Sequence, residues 1–106
     1  MFNKYGAVKT VVDDIKFDSK AESYRYLQLK CLCEAKEIFD LKLQEKFPYY
    51  SEKKKDKKLF TYIADFTYYD KELKFHVEDV KGMRTSVFNL KKKLIEDRYP
   101  FEIEII

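Results

Sequence analysis

Apolar and polar positions alternate along the chain with two different periods. A polar lead-in, Met1 to Lys16, contains a short hairpin pattern, Lys9 to Val12 turning through Asp13-Asp14 into Ile15-Phe17. A helical period then takes over. Asp18-Ser19 opens a predicted helix that runs to about Ile38, with Ala21, Tyr24, Leu27, Cys31, Ala35 and Ile38 as its apolar or small positions and Leu32 beside them. Ser19-Lys20-Ala21-Glu22 has capping-box form, in which the Glu22 carboxylate returns to the Ser19 backbone N–H. From Leu41 to Tyr50 the period falls to two: Leu41, Leu43 and Phe47 share one parity, Lys42, Gln44 and Lys46 the other. Pro48 marks an edge, because it cannot donate to a ladder. Two further strands are predicted at about Leu59 to Tyr69 and Leu73 to Lys81, joined by a tight turn at Asp70-Lys71. Gly82 breaks the second, and Thr85 caps a helix from Ser86 to about Arg98 whose apolar positions are Val87, Leu90 and Leu94. Pro100 stops that helix. Phe101 to Ile106 alternates as a last strand, with Phe101, Ile103 and Ile105 on the apolar side.

Two of these strands carry charge where core residues belong. Strand side chains alternate faces, so Leu73, Phe75 and Val77 share a face with Asp79 and Lys81. Lys74, His76, Glu78 and Val80 lie on the other, which reads as the polar face, with His76 exposed and non-catalytic. Asp65 repeats the anomaly one strand earlier, sharing parity with Ile63. An unpaired buried charge costs several kcal/mol or more. Charges converging at one end of a core face therefore compensate one another or hold a cation. On the first helix, Tyr26, Leu29 and Cys33 lie below Glu22 on one line.

Composition narrows the classes. The 106 residues, 45% hydrophobic and 17% aromatic, make one globular domain with a single core. No apolar run approaches the ~18 residues of a membrane span, and Met1-Phe2-Asn3-Lys4-Tyr5 lacks a signal-peptide core, so the expected location is the cytoplasm. Net charge is only +3, but lysines cluster at Lys53, Lys54, Lys55, Lys57 and Lys58, and again at Lys91, Lys92 and Lys93. These runs read as solvated surface, the first as a mobile loop, and they suit a polyanion. Cys31 and Cys33 sit ~200° apart around a helix and do not pair with each other. With His76 the only histidine, zinc ligation is unsupported.

An Asp on one strand and Asp-x-Lys on the next, here Asp65, thirteen intervening residues and Asp79-Val80-Lys81, resembles the PD-(D/E)xK nuclease superfamily. The order of Phe17-Asp18-Ser19-Lys20-Ala21-Glu22, Leu41-Lys42-Leu43-Gln44, Ala64-Asp65-Phe66 and Glu78-Asp79-Val80-Lys81-Gly82 extends the likeness to a family of short phage and prophage proteins known as a domain of unknown function. Ala64 stands where the superfamily has its nominal Pro. The resemblance implies an α/β fold of restriction-endonuclease type, an αβββαβ core whose central mixed four-stranded sheet is flanked by helices.

It also implies a metal-dependent deoxyribonuclease using Mg²⁺ or Mn²⁺. Asp65 and Asp79 would be direct ligands with the Val80 carbonyl as a third. Lys81 would orient the attacking water or neutralise developing charge, and Glu22 would bind metal through water or help a second ion. Gln44 and the lysines at 53, 54, 55, 57, 58, 91 and 93 are the candidates for touching nucleic acid. The expected partner is DNA, junction or branched in preference to a specific sequence, and cutting both strands calls for a homodimer; a phage-encoded chain would act in the host cytoplasm. Two alternatives stand beside this reading: a buried ion cluster without catalysis, and a nucleic-acid-binding or host-interaction module on the same fold.

Overall fold

The computed structural model describes residues 9–106. Residues 1–8, which hold the first half of the polar lead-in and the Met1–Tyr5 stretch, lie outside the described residues. The chain is α/β. Its elements are β1 (Thr10–Val12), β2 (Ile15–Phe17), α1 (Lys20–Glu34), β3 (Ile38–Leu43), β4 (Lys46–Tyr50), β5 (Lys58–Ile63), β6 (Phe66–Asp70), β7 (Phe75–Asp79), α2 (Ser86–Arg98) and β8 (Ile103–Ile105). A mixed four-stranded sheet has the order β3-β6-β7-β8, antiparallel except for the parallel pair β7-β8. Two-stranded ladders β1-β2 and β4-β5 flank it. No helix among the described residues is long and apolar enough to cross a membrane.

The N-terminal hairpin turns where Asp13-Asp14 predicts it. Both residues have φ above +50°, and the Val12↔Ile15 pairing leaves them as a two-residue loop of type I′ form. Asp13 ties the hairpin to α1 by accepting from Tyr26 Oη at 2.9 Å and Lys30 Nζ at 2.6 Å.

Four central segments differ from the periodic reading, each for a backbone reason. The first helix ends at Glu34 and not at Ile38, which opens β3. Lys36 takes φ 60°, its N–H bonds to Cys33 O, and the Glu37 N–H bonds to Leu32 O. That is a Schellman closure made without glycine. The strand predicted across Leu41–Tyr50 breaks at Gln44, and the one across Leu59–Tyr69 breaks at Ala64-Asp65. Gln44 has φ 57°, as does Asp40 beside the bulge between Phe39 and Lys42. Backbone bonds Gln44 N–H to Asp65 O (3.2 Å) and Ala64 N–H to Glu45 O (2.9 Å) carry the ladder across the break. One long hairpin therefore bends from the central sheet into the β4-β5 ribbon. The Leu73–Lys81 strand shrinks to β7: Asp70 Oδ1 accepts from the N–H groups of Glu72 and Lys74, widening the turn and leaving Leu73 at φ 64° and exposed. At the C-terminus only Ile103–Ile105 pair as strand; Ile103 and Ile105 join the core as expected.

Both faces of the sheet are covered. Val77, Ile95 and Ile103 pack with Phe47, Tyr49, Tyr62 and Ala64 on the α2 side. Phe17, Tyr26, Leu29, Ile38, Phe66 and Tyr68 pack on the α1 side. Coverage of the second face overturns three expectations. Glu78 is 1% exposed and grips Arg25 bidentately, Nε to Oε1 at 2.7 Å and Nη2 to Oε2 at 2.6 Å, while Tyr68 Oη donates to Oε2. The line of α1 that faces the sheet is Glu22, Ser23, Tyr26 and Leu29, whereas Tyr24, Leu27, Cys31 and Leu32 face outward. In α2, likewise, Ile95 is buried while Val87 and Leu90 are exposed.

His76 is the third case. It is not exposed: its ring stacks on Tyr68 with centroids 4.9 Å apart, Nε2 lies 2.8 Å from Asp70 Oδ2, and Nδ1 lies 2.8 Å from Glu104 Oε2. Burial pulls its pKa down, but the bonds to Asp70 and Glu104 together outweigh burial and raise it. The stability that protonated His76 contributes is full below its ordinary value of about 6.5 and is lost as pH rises through the elevated one. The melting-temperature difference between wild type and His76→Gln should therefore be largest near pH 6 and shrink by pH 9. A difference independent of pH would show that the imidazole stays neutral between its two carboxylates.

Candidate active site

One end of the central sheet gathers the functional candidates. Asp65 sits in the break between β5 and β6, so the break and not the Ile63 parity sets its direction; Ile63 itself faces solvent. The Asp65 N–H bonds to Glu78 O (3.1 Å), and its Oδ2 accepts the Val80 N–H at 2.7 Å. Asp79 ends β7 on the Val77 face and is 2% exposed, as its parity predicts. Its Oδ2 accepts from the buried Tyr62 hydroxyl at 2.7 Å, and its Oδ1 lies 3.3 Å from Lys81 Nζ. Lys81, just past the strand, lays its ammonium 4.5 Å above the Phe88 ring centroid. Both helices begin here: Ser19 Oγ caps α1 by accepting the Glu22 N–H at 3.1 Å, and Thr85 Oγ1 caps α2 by accepting the Phe88 N–H at 3.1 Å.

Glu22 stands in the first turn of α1, 93% buried by its 7% exposure. The nearby Asp18 backbone N–H, and not that of Ser19, favours the ionised Glu22 carboxylate. Gln44 Nε2 also approaches Glu22 Oε1, at 3.5 Å. Strand parity directs Gln44 away from the site, but its left-handed φ turns the side chain toward α1, so the structure brings it in.

The charges are mutually strained. Burial, then repulsion from Asp79 and Glu22, pushes the Asp65 carboxyl up to about 8, against the Val80 N–H that favours its ionised form. Burial, then Asp18 and Asp79, raises Glu22, while Lys81 and the Asp18 N–H pull the other way. Lys20 and Lys81 do not balance Asp18, Glu22, Asp65 and Asp79. A cleft of about 570 Å³ opens beside them, with Glu22, Asp65, Val80 and Lys81 in its lining; the buried Asp79 is not part of that lining. Among the described residues no group of three or more His, Cys, Asp or Glu is placed so that it could by itself hold a metal ion. The donor set nonetheless suits a hard cation, since carboxylates held together against their repulsion are relieved by positive charge. Removing one charge tests this balance. Asp65→Asn keeps the acceptor for the Val80 N–H and should raise the melting temperature in chelator at pH 8 by several degrees, where about 1 kcal/mol corresponds to 4–8 °C in a domain of this size. A fall would show that the ionised carboxylate stabilises the fold.

The lysines lie elsewhere. Lys53, Lys54, Lys55, Lys57 and Lys58 form the exposed tip of the β4-β5 hairpin; Lys58 is seven residues from Asp65, up to about 23 Å of extended strand. Lys91 lies over the Phe60 ring at 5.4 Å, Lys92 pairs with Glu96, and Lys93 is exposed. Tyr62 was not legible as a site residue: a buried phenol needs a partner, but nothing local names Asp79. The same holds for Phe88, which looks like ordinary helix core.

The profile of a family described as "Protein of unknown function (DUF1064)" matches residues 2–105. No curated protein and no solved structure matches the chain.

Proposed function

The chain belongs to the DUF1064 family, and from the geometry of its cleft we propose that it is a divalent-metal-dependent endonuclease acting on DNA, with its core a small version of the PD-(D/E)xK restriction-endonuclease type. One observation carries this: Glu22, Asp65 and the Asp79/Lys81 pair, from three separate segments, meet at one end of the sheet, and burial with mutual repulsion raises the Asp65 and Glu22 pKa values. A structural ion cluster would be expected to neutralise itself, as Arg25 and Glu78 do on the opposite face.

Asp65, Asp79 and the Val80 carbonyl are the groups that would hold Mg²⁺ or Mn²⁺, which supplies positive charge against the phosphate and acidifies a water. The chain's own residues supply orientation. Tyr62 occupies Asp79 Oδ2, which leaves Oδ1 as the oxygen turned to Lys81. Asp65 Oδ2 is likewise fixed by the Val80 N–H. Lys81, held between Asp79 and the Phe88 ring, places a positive charge at the cleft where the phosphate gains charge as water adds to phosphorus and the sugar oxygen leaves. Glu22, which Gln44 approaches at 3.5 Å, would position a water or a second ion.

Affinity would come from the lysine tip and from Lys91 and Lys93 on flanking phosphates, so binding should weaken steeply as salt rises. Two copies would be needed to cut both strands of a junction.

Cleavage of linear, single-stranded, flapped and four-way DNA, and of matched RNA, with Mg²⁺ and with Mn²⁺ tests the reading. Cation-dependent cleavage is expected with wild type. Absence of cleavage on every substrate, with a protein partner captured instead, would favour the interaction module, a reading that rests on the outward apolar line Tyr24, Leu27 and Leu32.

A further inference from the structure

The lining of the cleft is chemically mixed. Glu22, Asp65 and Lys81 contribute charge; Met83, Phe88 and Ile106 contribute apolar surface. Met83 and Ile106 are 55% and 48% exposed, so part of this apolar surface is open, while Phe88 rests against the core. Lys81 joins the two sets, with its Nζ 3.3 Å from Asp79 and 4.5 Å above the Phe88 ring. A phosphate requires only the charged set. In continuous duplex the base faces are covered by stacking, and the backbone offers this apolar surface nothing but sugar, phosphate and water. A nucleotide out of the stack differs: it carries an anionic phosphate and an apolar base face one sugar apart. That amphipathic unit is complementary to the mixed lining, and base stacking or packing on side chains is a strong, sequence-tolerant contact. A cleft of about 570 Å³ lies within the range of small-ligand sites, about 300–1,000 Å³.

We propose that the cleft takes one unpaired nucleotide, its phosphate beside Lys81 and the carboxylates and its base against Met83, Phe88 and Ile106. The chain then acts on unpaired segments, such as flaps and the open arms of branched DNA, in preference to continuous duplex. This rests on the nuclease reading and names its substrate class.

The test removes bases without removing phosphates. A fluorescent hairpin duplex carries a flap of five thymidines, or of five abasic residues, or no flap, and its affinity for the full chain is measured by anisotropy with Ca²⁺ in place of Mg²⁺. The thymidine flap should bind at least tenfold more tightly than the abasic flap or the blunt hairpin. Met83→Ala, at an exposed position that leaves the fold intact, should weaken thymidine-flap binding several-fold and leave abasic-flap binding unchanged. Equal affinity for thymidine and abasic flaps, or insensitivity to Met83→Ala, would overturn the base contact. Cleavage with Mg²⁺ is read on the same DNAs. Blunt duplex cut as fast as the flap would overturn this inference alone; no cleavage of any DNA would overturn the nuclease reading, while the binding comparison still decides the base contact.

Discussion

Arg25→Ala is expected to destabilise the protein by about 3–5 kcal/mol, the cost of leaving a buried charge without its partner. Glu78 is 1% exposed and lies between α1 and the sheet, where the Arg25 fork and the Tyr68 hydroxyl satisfy its oxygens. Alanine removes two charge-assisted bonds at once and leaves the carboxylate no route to water. Arg25→Lys supplies charge but one donor geometry in place of two, so it should recover only part of the loss. Glu78→Gln should cost less than Arg25→Ala, because Arg25 keeps 21% of its side chain accessible and remains hydrated. The double variant Arg25→Met/Glu78→Gln should be more stable than Arg25→Ala alone, since a neutral amide still bonds Tyr68. Chemical denaturation at pH 7 measures all four. A loss below about 1 kcal/mol for Arg25→Ala would place the pair among screened surface bridges.

The second large effect concerns turnover. Asp79→Asn preserves shape and the Tyr62 bond but removes a charge, and Lys81→Ala removes the cation paired with Asp79; on the nuclease reading each should lower cleavage by about 10²–10⁴-fold, the usual range for a group acting on protons or charge in the reaction. Neither should lower the melting temperature in chelator by more than a few degrees, and Asp79→Asn should also abolish the rise in melting temperature expected of wild type on adding Mg²⁺. Glu78→Gln is the matched control, one residue away and on the opposite face of the sheet; with the protein folded, it should leave the rate within a few-fold. Glu22→Gln decides between a capping and a catalytic role for its residue. The Ser19 cap survives, because it uses the Glu22 backbone N–H, so stability should change by a few tenths of a kcal/mol while turnover falls. Wild-type rates in Asp79→Asn, or a rate in Glu78→Gln that falls as far as in Asp79→Asn, would remove the cluster from catalysis.

Local patterns carried much of this architecture. The caps at Ser19 and Thr85, the Asp13-Asp14 turn and the stop at Pro100 depend on residues within a few positions of each other, and all stand where those residues predict. The opposition of Asp79 to Glu78 is equally local, since strand geometry alone sends neighbours to opposite faces. Three-dimensional pairing decided what each face meets. Glu78 reads as solvent-facing until Arg25, 53 residues away along the chain, arrives on α1 to neutralise it. The first helix carries two lines of side chains, and the one with more apolar positions, through Tyr24, Leu27 and Cys31, is the one left in water. The line through Glu22, Tyr26 and Leu29 is buried because Phe17, Ile38, Phe66 and Tyr68 pack against it. Backbone reversals at Lys36, Asp40 and Gln44 leave no glycine as a trace, yet they end α1, bend the long hairpin and swing Gln44 to Glu22. Periodicity is set by bonds between near neighbours and so is written along the chain; which face is dry, and which carboxylate finds a cation, depends on contacts between segments that no window of the sequence contains.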